Sequence, residues 1–406
     1  MTDVLIVGAG LAGLACARKL AAGGLSCLLL EASDCVGGRA RTDEVEGFLL
    51  DRGFQVFLTA YPEAQAILDY QALQLRGFDP GALVRYEGRF HRIADPWRRP
   101  AAAMQTLLSP VGTMADKLKL AKLRSLVMKR NGGSPIAEAP TMQFLREFGF
   151  SSRMIELFFR PFLGGIFLER ELDTASRMFA FVFRMFSLGE AALPAAGMGA
   201  IAEQLAGQLP ADWVRLRQRV VKVEPGSVAI STGEEIKGSA IVVATDRANA
   251  AKLLPEIGPA PWRATTCFYF AAEKAPVPEP ILVLNGDGRG PINNLCVPSL
   301  VAPSYAPSGV HLVSASVVGG SKVAPEQLLR EVKKQLAEWF GDEARSWRHL
   351  RTDWIPNALP EPLPGKTATF RPGIYVCGDY RETASINGAL ESGRKTAEAV
   401  LERRQR

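Results

Sequence analysis

Three glycines, Gly8, Gly10 and Gly13, follow the apolar run Val4-Leu-Ile-Val and open a stretch of helix-forming residues; a second apolar run, Cys27-Leu-Leu-Leu, ends in Glu31. Strand, glycine turn, helix, strand and acid in that order constrain the chain to a βαβ unit able to hold a dinucleotide. The first glycine permits the tight turn, the second lets a pyrophosphate approach the backbone, and the third lets helix and strand pack closely. The helix start adds unpaired N–H groups and a favourable dipole for phosphate. Glu31, at the expected spacing of ~20 residues, is placed to accept a hydrogen bond from a ribose hydroxyl, and an acid there disfavours the 2′-phosphate of NADP.

The rest of the chain excludes several function classes. With 406 residues, 47% hydrophobic and 22% charged, it reads as an ordinary globular protein of two or three domains. No apolar run reaches the ~18 residues of a spanning helix. The sequence opens directly on a strand, and no secretory signal is expected. The six cysteines show no CxxC spacing and are expected as free thiols, buried in most cases, in a reducing, cytoplasmic compartment. The three histidines, His91, His311 and His349, form no metal-ligand pattern and no nucleophile–base arrangement. The net charge of +6 does not reside in a basic tract interleaved with aromatics, so nucleic acid is not an expected partner. Basic residues instead gather between Arg85 and Arg99 and at Lys117, Lys119, Lys122, Arg124, Lys129 and Arg130, with Leu118, Leu120, Leu123, Leu126 and Val127 between the latter. That pattern reads either as a solvated helix face or as a helix lying on a membrane surface.

Residues 1–75, 200–255 and 351–406 are expected to form the nucleotide-binding unit. Residues 76–199 and 256–350 are expected to form a discontinuous substrate unit, helical in its first part. Two aromatic runs, Leu157 to Phe167 and Met178 to Phe186, suit both a core and the lining of an apolar pocket. Near the C-terminus, a strand ending Cys377-Gly378-Asp379 precedes a helix starting near Ile386. An acid for a polyol chain and a helix N-terminus for an electron-rich ring carbonyl suit FAD, and NAD needs neither.

The pattern Gly8–Gly13, Glu31, Gly37-Gly38-Arg39-Ala-Arg41-Thr42 and Gly378-Asp379 with Gly388-Ala389 resembles the FAD-dependent amine oxidase, protoporphyrinogen oxidase and phytoene desaturase superfamily. Within it, Asp51 to Pro62, Met114 to Ala121 and Gly378 to Ala389 resemble most the plant- and cyanobacterial-type carotene desaturases. The resemblance implies an α/β fold: a Rossmann-like FAD-binding domain of the amine oxidase type with a discontinuous α+β substrate domain. It implies that Glu31 holds the adenosine ribose and Arg39 the pyrophosphate side, and that Gly53 lets the backbone pass the flavin. It further implies that Val221, or Val220, contacts adenine through its backbone, that Asp379 holds ribityl or phosphate oxygens, and that the Ile386 N–H faces the ring. Ala12, Gly38, Phe54 and Gly378 join this cofactor-binding set. Two departures weigh against an amine substrate. Ser385 stands where amine oxidases carry a cage aromatic, and Lys274 is the nearest match to their flavin-side lysine.

The expected activity is therefore an FAD-dependent oxidation of an apolar, isoprenoid- or carotenoid-like substrate, with oxygen or a quinone as electron acceptor and a membrane surface as a further partner. A soluble flavin amine oxidase and a flavin-bearing assembly protein are the alternatives. Phe158 to Phe167, Phe179 to Phe186, Trp354 and Asn293-Asn294 are the candidate pocket residues; no catalytic residue is assigned.

Overall fold

The computed structural model describes residues 2–404 apart from 96–97, 100–102, 129–137, 260, 321–322 and 364–367; Lys129 and Arg130 of the basic stretch lie outside the described residues. The chain lays down β1 (Thr2–Val7), α1 (Leu11–Ala22) and β2 (Cys27–Leu30), then leaves for β3 (Gly81–Tyr86) and β4 (Arg89–Ala94). The helices α2 (Met114–Met128), α3 (Arg160–Phe167) and α4 (Ser176–Leu188) follow. It returns for β5 (Val214–Arg215) and β6 (Glu235–Val243) and leaves again for β7 (Trp262–Ala272), β8 (Leu282–Asn285), β9 (Asn294–Cys296), β10 (His311–Val318) and β11 (Arg348–Pro360). It closes with β12 (Ile374–Val376) and α5 (Ile386–Arg404).

The first sheet runs β5-β2-β1-β6-β12, with each of these pairings parallel. A parallel sheet is covered on both faces, so its strands are apolar runs without alternation, as Val4-Leu-Ile-Val, Cys27-Leu-Leu-Leu and Ile374-Tyr-Val are. On one face α1 packs against α5, and a Cβ at Gly393 would stand 2.2 Å from the Ala12 carbonyl oxygen. On the other face Leu5, Val7, Leu28 and Leu30 meet Val220, Val228 and Ile230 of an antiparallel extension. Residues 214–223 form two strands, because Arg217 takes a left-handed turn at φ 57° between Val214–Arg215 and Val220–Glu224.

The second sheet is mixed and seven-stranded, ordered β11-β7-β10-β9-β8-β3-β4. Its strands alternate in the manner of a sheet with two different faces. Phe268 and Phe270 point with Val313 and Val332 into one core, while Cys267 and Tyr269 point into the core shared with the first sheet. The expected change of unit between residues 350 and 351 falls inside β11, which pairs with β7 in this second sheet. The six cysteines are free; all are buried except the half-buried Cys35, and burial pushes the Cys27 and Cys377 thiols up to about 12. Among the described residues no helix is long and apolar enough to cross a membrane.

The third glycine of the opening motif sets the distance between α1 and β1. A Cβ at Gly13 would sit 2.2 Å from the Gly8 carbonyl oxygen, a backbone atom that cannot move aside. Gly13→Ala is expected to cost about 1–3 kcal/mol of unfolding free energy through overpacking and to lower FAD retention. Urea midpoints and flavin content per chain measure both.

Candidate active site

The carboxyl ends of β1, β2, β6 and β12 open into one cavity of about 1980 Å³ that continues past β7 and β11 to the helices α2, α3 and α4. Its first end is the glycine turn. Gly8, at φ 104°, holds a conformation that L side chains rarely adopt. A Cβ on Gly10 would meet nothing within 4 Å, so the space beside this backbone is the cavity itself. The Glu31 carboxylate fixes the turn by accepting from the Ala9 N–H at 2.7 Å and, on its other oxygen, from the Ser33 N–H at 2.9 Å. It also lines the cavity, as do Ala12, Gly38, Phe54 and Gly378. Gly13 does not reach the wall and stands behind it, where it serves packing.

In the β-strand extension a bulge lies between Val220 and Lys222. The extra residue of a bulge drops out of the ladder. Here that residue is Val221, 54% exposed beside the 9% of Val220, and both line the cavity.

Further along, Arg39 and Asp379 join the two halves of the chain. Arg39 donates to Asp379 Oδ1 at 2.6 Å and to the Ala358 carbonyl at 3.0 Å, and its guanidinium lies 5.7 Å from the Trp262 ring centre. Ser385 caps α5, its hydroxyl accepting from the Gly388 N–H at 3.0 Å. That explains the serine at this position independently of any aromatic cage. The first-turn N–H of Ile386 precedes any intrahelical acceptor, and Ile386 is at the cavity wall. Gly53, at φ 82°, passes under Ile355, whose Cδ1 a Cβ would approach to 2.5 Å.

Beneath Gly53 lies a buried carboxylate. Asp51 accepts from the Thr42 hydroxyl at 2.5 Å, the Met198 N–H at 2.9 Å and the Tyr305 hydroxyl at 2.8 Å, while Tyr269 donates to its carbonyl at 2.5 Å. Burial outweighs these donors and raises the carboxyl to about 6.

The far end of the cavity is apolar. Phe158 and Phe162 from the α3 side and Phe183 and Phe186 from α4 line it, with Ile166, Met178 and Val182. Phe159, Phe167 and Phe179 of the same runs are fully buried core residues away from the wall. Asn294 and Trp354 are on the wall, and Asn293 supports Asn294 from behind. Lys274 is exposed and is not part of the wall. Sequence reasoning did not single out Asp246, which lines the cavity at the end of β6 and caps the following helix by accepting from the Asn249 N–H at 3.0 Å. The run Ala240-Ile-Val-Val-Ala-Thr-Asp246 is a strand followed by a capping acid, the signal that locates it. It also missed Ala358, whose carbonyl is visible as a partner of Arg39 only in the fold.

These residues fit FAD: open space beside Gly10, a carboxylate at the end of β2, a bulged backbone at Val221, and an acid and a helix N-terminus farther along. The family described as "Flavin containing amine oxidoreductase" matches residues 11–401. A 15-cis-phytoene desaturase from an Oncidium hybrid cultivar is 25% identical over 98% of this chain and 78% of its own length. Protoporphyrinogen oxidase 2 from Arabidopsis thaliana is 28% identical over 40% of this chain, a match spanning 32% of that protein. Among solved structures, an oxidoreductase from Methanosarcina mazei superposes with a TM-score of 0.75 at 19% identity, covering 98% of this chain and 100% of that one. Putrescine oxidase bound to putrescine superposes at 0.72 and 17% identity over 99% of both chains. At such identities the structural likeness establishes the shared fold.

The buried Asp51 gives the protein a pH signature. Its carboxyl rises from an ordinary 3.8 to about 6 on folding, so the folded state holds the proton more tightly. Stability from this group is complete below pH 3.8 and is lost as pH rises through about 6. The loss amounts to about 3 kcal/mol by pH 7. Asp51→Asn keeps an acceptor for Thr42 and Met198 and cannot ionise. Urea midpoints at pH 4 to 7.5 should show the variant gaining on the wild type as pH rises. A constant difference across the range would contradict the assignment.

Proposed function

The chain belongs to the flavin containing amine oxidoreductase family and is an FAD-dependent oxidoreductase, and from that premise we propose that it oxidises an apolar, isoprenoid-like substrate taken from a membrane surface. Bound FAD supplies the two-electron acceptor. The residues of this chain bind the nucleotide at Gly10, Glu31 and Val221 and place its far end near Arg39, Gly53, Asp379 and Ile386. They exclude water from the reacting bond with the rings of Phe158, Phe162, Phe183 and Phe186. Such rings also offer negative faces to a carbon that becomes cationic as it loses hydride. Oxygen or a quinone then takes the electrons.

The observation that carries this reading is the surface where the cavity reaches the outside. Leu107, Met114 and Leu118 line the cavity and are exposed. They adjoin Met104 at 63% exposure and Leu108 at 78%, with Leu118 itself at 71%. Large apolar side chains exposed together mark an interaction site. Here Met114, Leu118 and Lys122 recur at helical spacing on the exposed side of α2, with the cation among the apolar groups as at a lipid interface. The core side of the same helix is occupied by Leu123 and Val127. The capping role of Ser385 and the exposed position of Lys274 give the amine alternative no support in the cavity wall.

Anaerobic mixing with polyprenyl and carotenoid hydrocarbons in micelles is expected to bleach the flavin absorbance, whereas a panel of mono-, di- and polyamines is not. Bleaching by an amine, with peroxide released under air, would establish the amine oxidase reading instead. In flotation with vesicles containing anionic lipid, the wild type is expected to float, and Leu108→Glu with Leu118→Glu to stay at the bottom with its flavin retained. A wild type that does not float would remove the membrane from the proposal.

A further inference from the structure

The aromatic end of the cavity contains a polar group that an oxidation of hydrocarbon leaves unused. Asn294 is 4% exposed and lies on β9, paired through its backbone to β8 and β10 on either side. What it presents to the cavity is therefore its side chain. The orientation of that amide follows from its neighbour. Asn293 Nδ2 lies 2.8 Å from the Pro161 carbonyl, which only accepts, so this atom of Asn293 is the nitrogen. The same nitrogen lies 2.9 Å from Asn294, and the atom it meets there must be the acceptor Oδ1. The Asn294 oxygen is thus occupied. Its Nδ2 has no hydrogen-bond partner among the described residues and is not among the buried, closed-off polar atoms. The wall is shaped around this pair. Gly165 of α3 lines the cavity beside it, and a Cβ there would come to 2.9 Å from Asn294 Oδ1 and 3.1 Å from Asn293 Nδ2.

We infer that the Asn294 amide donates a hydrogen bond to an oxygen of the substrate, so that the molecule oxidised here is isoprenoid-like and carries a carbonyl or hydroxyl group. The inference rests on the apolar-substrate reading above and narrows it. A pure hydrocarbon seated against Asn294 would take water from this N–H and return no acceptor, and an unmade bond in a dry site is costly. A substrate oxygen completes the chain from Pro161 through Asn293 to Asn294. The phenylalanines around it hold the apolar body, and one fixed donor sets its register along the cavity. Gly10, Glu31, Asp379 and Ile386 stand at the edge of the first sheet, whereas Asn294 belongs to the second sheet and the aromatic wall.

The test uses the flavin-loaded protein and two probes, a C20 polyprenyl ketone and the C20 polyprenyl hydrocarbon of equal length and unsaturation. Both are delivered in the same micelles, and binding is read from the flavin absorbance change. Asn294→Asp retains an oxygen to accept from Asn293 and replaces the donor by an acceptor at nearly the same volume. Asn294→Leu removes the polar group, and Gly165→Ala displaces the pair without touching its chemistry. The wild type is expected to favour the ketone by about tenfold more than either Asn294 variant does, the scale of one hydrogen bond. Asn294→Leu should bind the hydrocarbon at least as tightly as the wild type does, because no polar group there loses water. Gly165→Ala should reduce the preference. Equal ketone preference in the wild type and Asn294→Asp overturns the inference while leaving the apolar-substrate reading in place. Failure of both probes to perturb the flavin of the wild type overturns the apolar reading and the inference together.

Discussion

Three backbone hydrogen bonds fix where this protein can do chemistry. Gly8 N–H donates to Leu30 O at 2.9 Å, Ala244 N–H to Val7 O at 2.9 Å, and Cys377 N–H to Val243 O at 3.0 Å. Each joins the end of one parallel strand to the end of the next, so four strand ends stop along one line. Parallel pairing demands long crossovers, and the crossovers here carry the entire second sheet and its helices. The glycine turn and Glu31 lie within the first 31 residues, and Asp246 and Asp379 follow more than 200 residues later. They share a wall because those three bonds hold their strands in register.

The second layer of organisation ties the substrate side to that edge. Asp51 sits where the hairpin Thr42–Val45/Phe48–Asp51, the turn at Met198 and the second-sheet residue Tyr269 converge. A carboxyl whose ionisation burial disfavours, yet given three donors, holds these pieces to one geometry two residues before Gly53. Arg39 does the same at the opposite side by bonding both Asp379 and the carbonyl of Ala358 on β11. The cavity thereby receives a polar, rigid half from the first sheet and an apolar half from α3 and α4.

Much of this was legible in the residues. The glycines and Glu31 located the strand, turn and helix at the end of the cavity because a short motif with a backbone mechanism is local. The Asp379 strand and the Ile386 helix start were legible for the same reason. The aromatic runs were readable as pocket material, but not which rings line it. Helical spacing sends Phe158, Phe162, Phe183 and Phe186 to the cavity and Phe159, Phe167 and Phe179 to the core, and that division depends on how α3 and α4 face each other. Ser385, read as standing where amine oxidases carry a cage aromatic, also caps α5 by accepting from the Gly388 N–H, a role only the fold shows. The stretch 214–223 is split in two by the left-handed Arg217, a conformation no residue type there announces. The boundary expected at 350–351 lies inside β11, because strand pairing across the second sheet is non-local and leaves no mark in composition.

By itself the sequence pointed to a strand, glycine turn and helix suited to a dinucleotide, to an acid that disfavours a 2′-phosphate, and to FAD as the cofactor. These follow from backbone geometry within a few residues of each motif. Only the tertiary structure decided that Gly13 serves packing while Gly10 faces open space, and that Arg39 is held by Asp379. It also decided that Asn294 stands on the wall of an aromatic cavity and that Leu108 and Leu118 are left uncovered where that cavity meets the surface. Those outcomes depend on which sheet edge, helix face and crossover come together, and packing across hundreds of residues has no local signature.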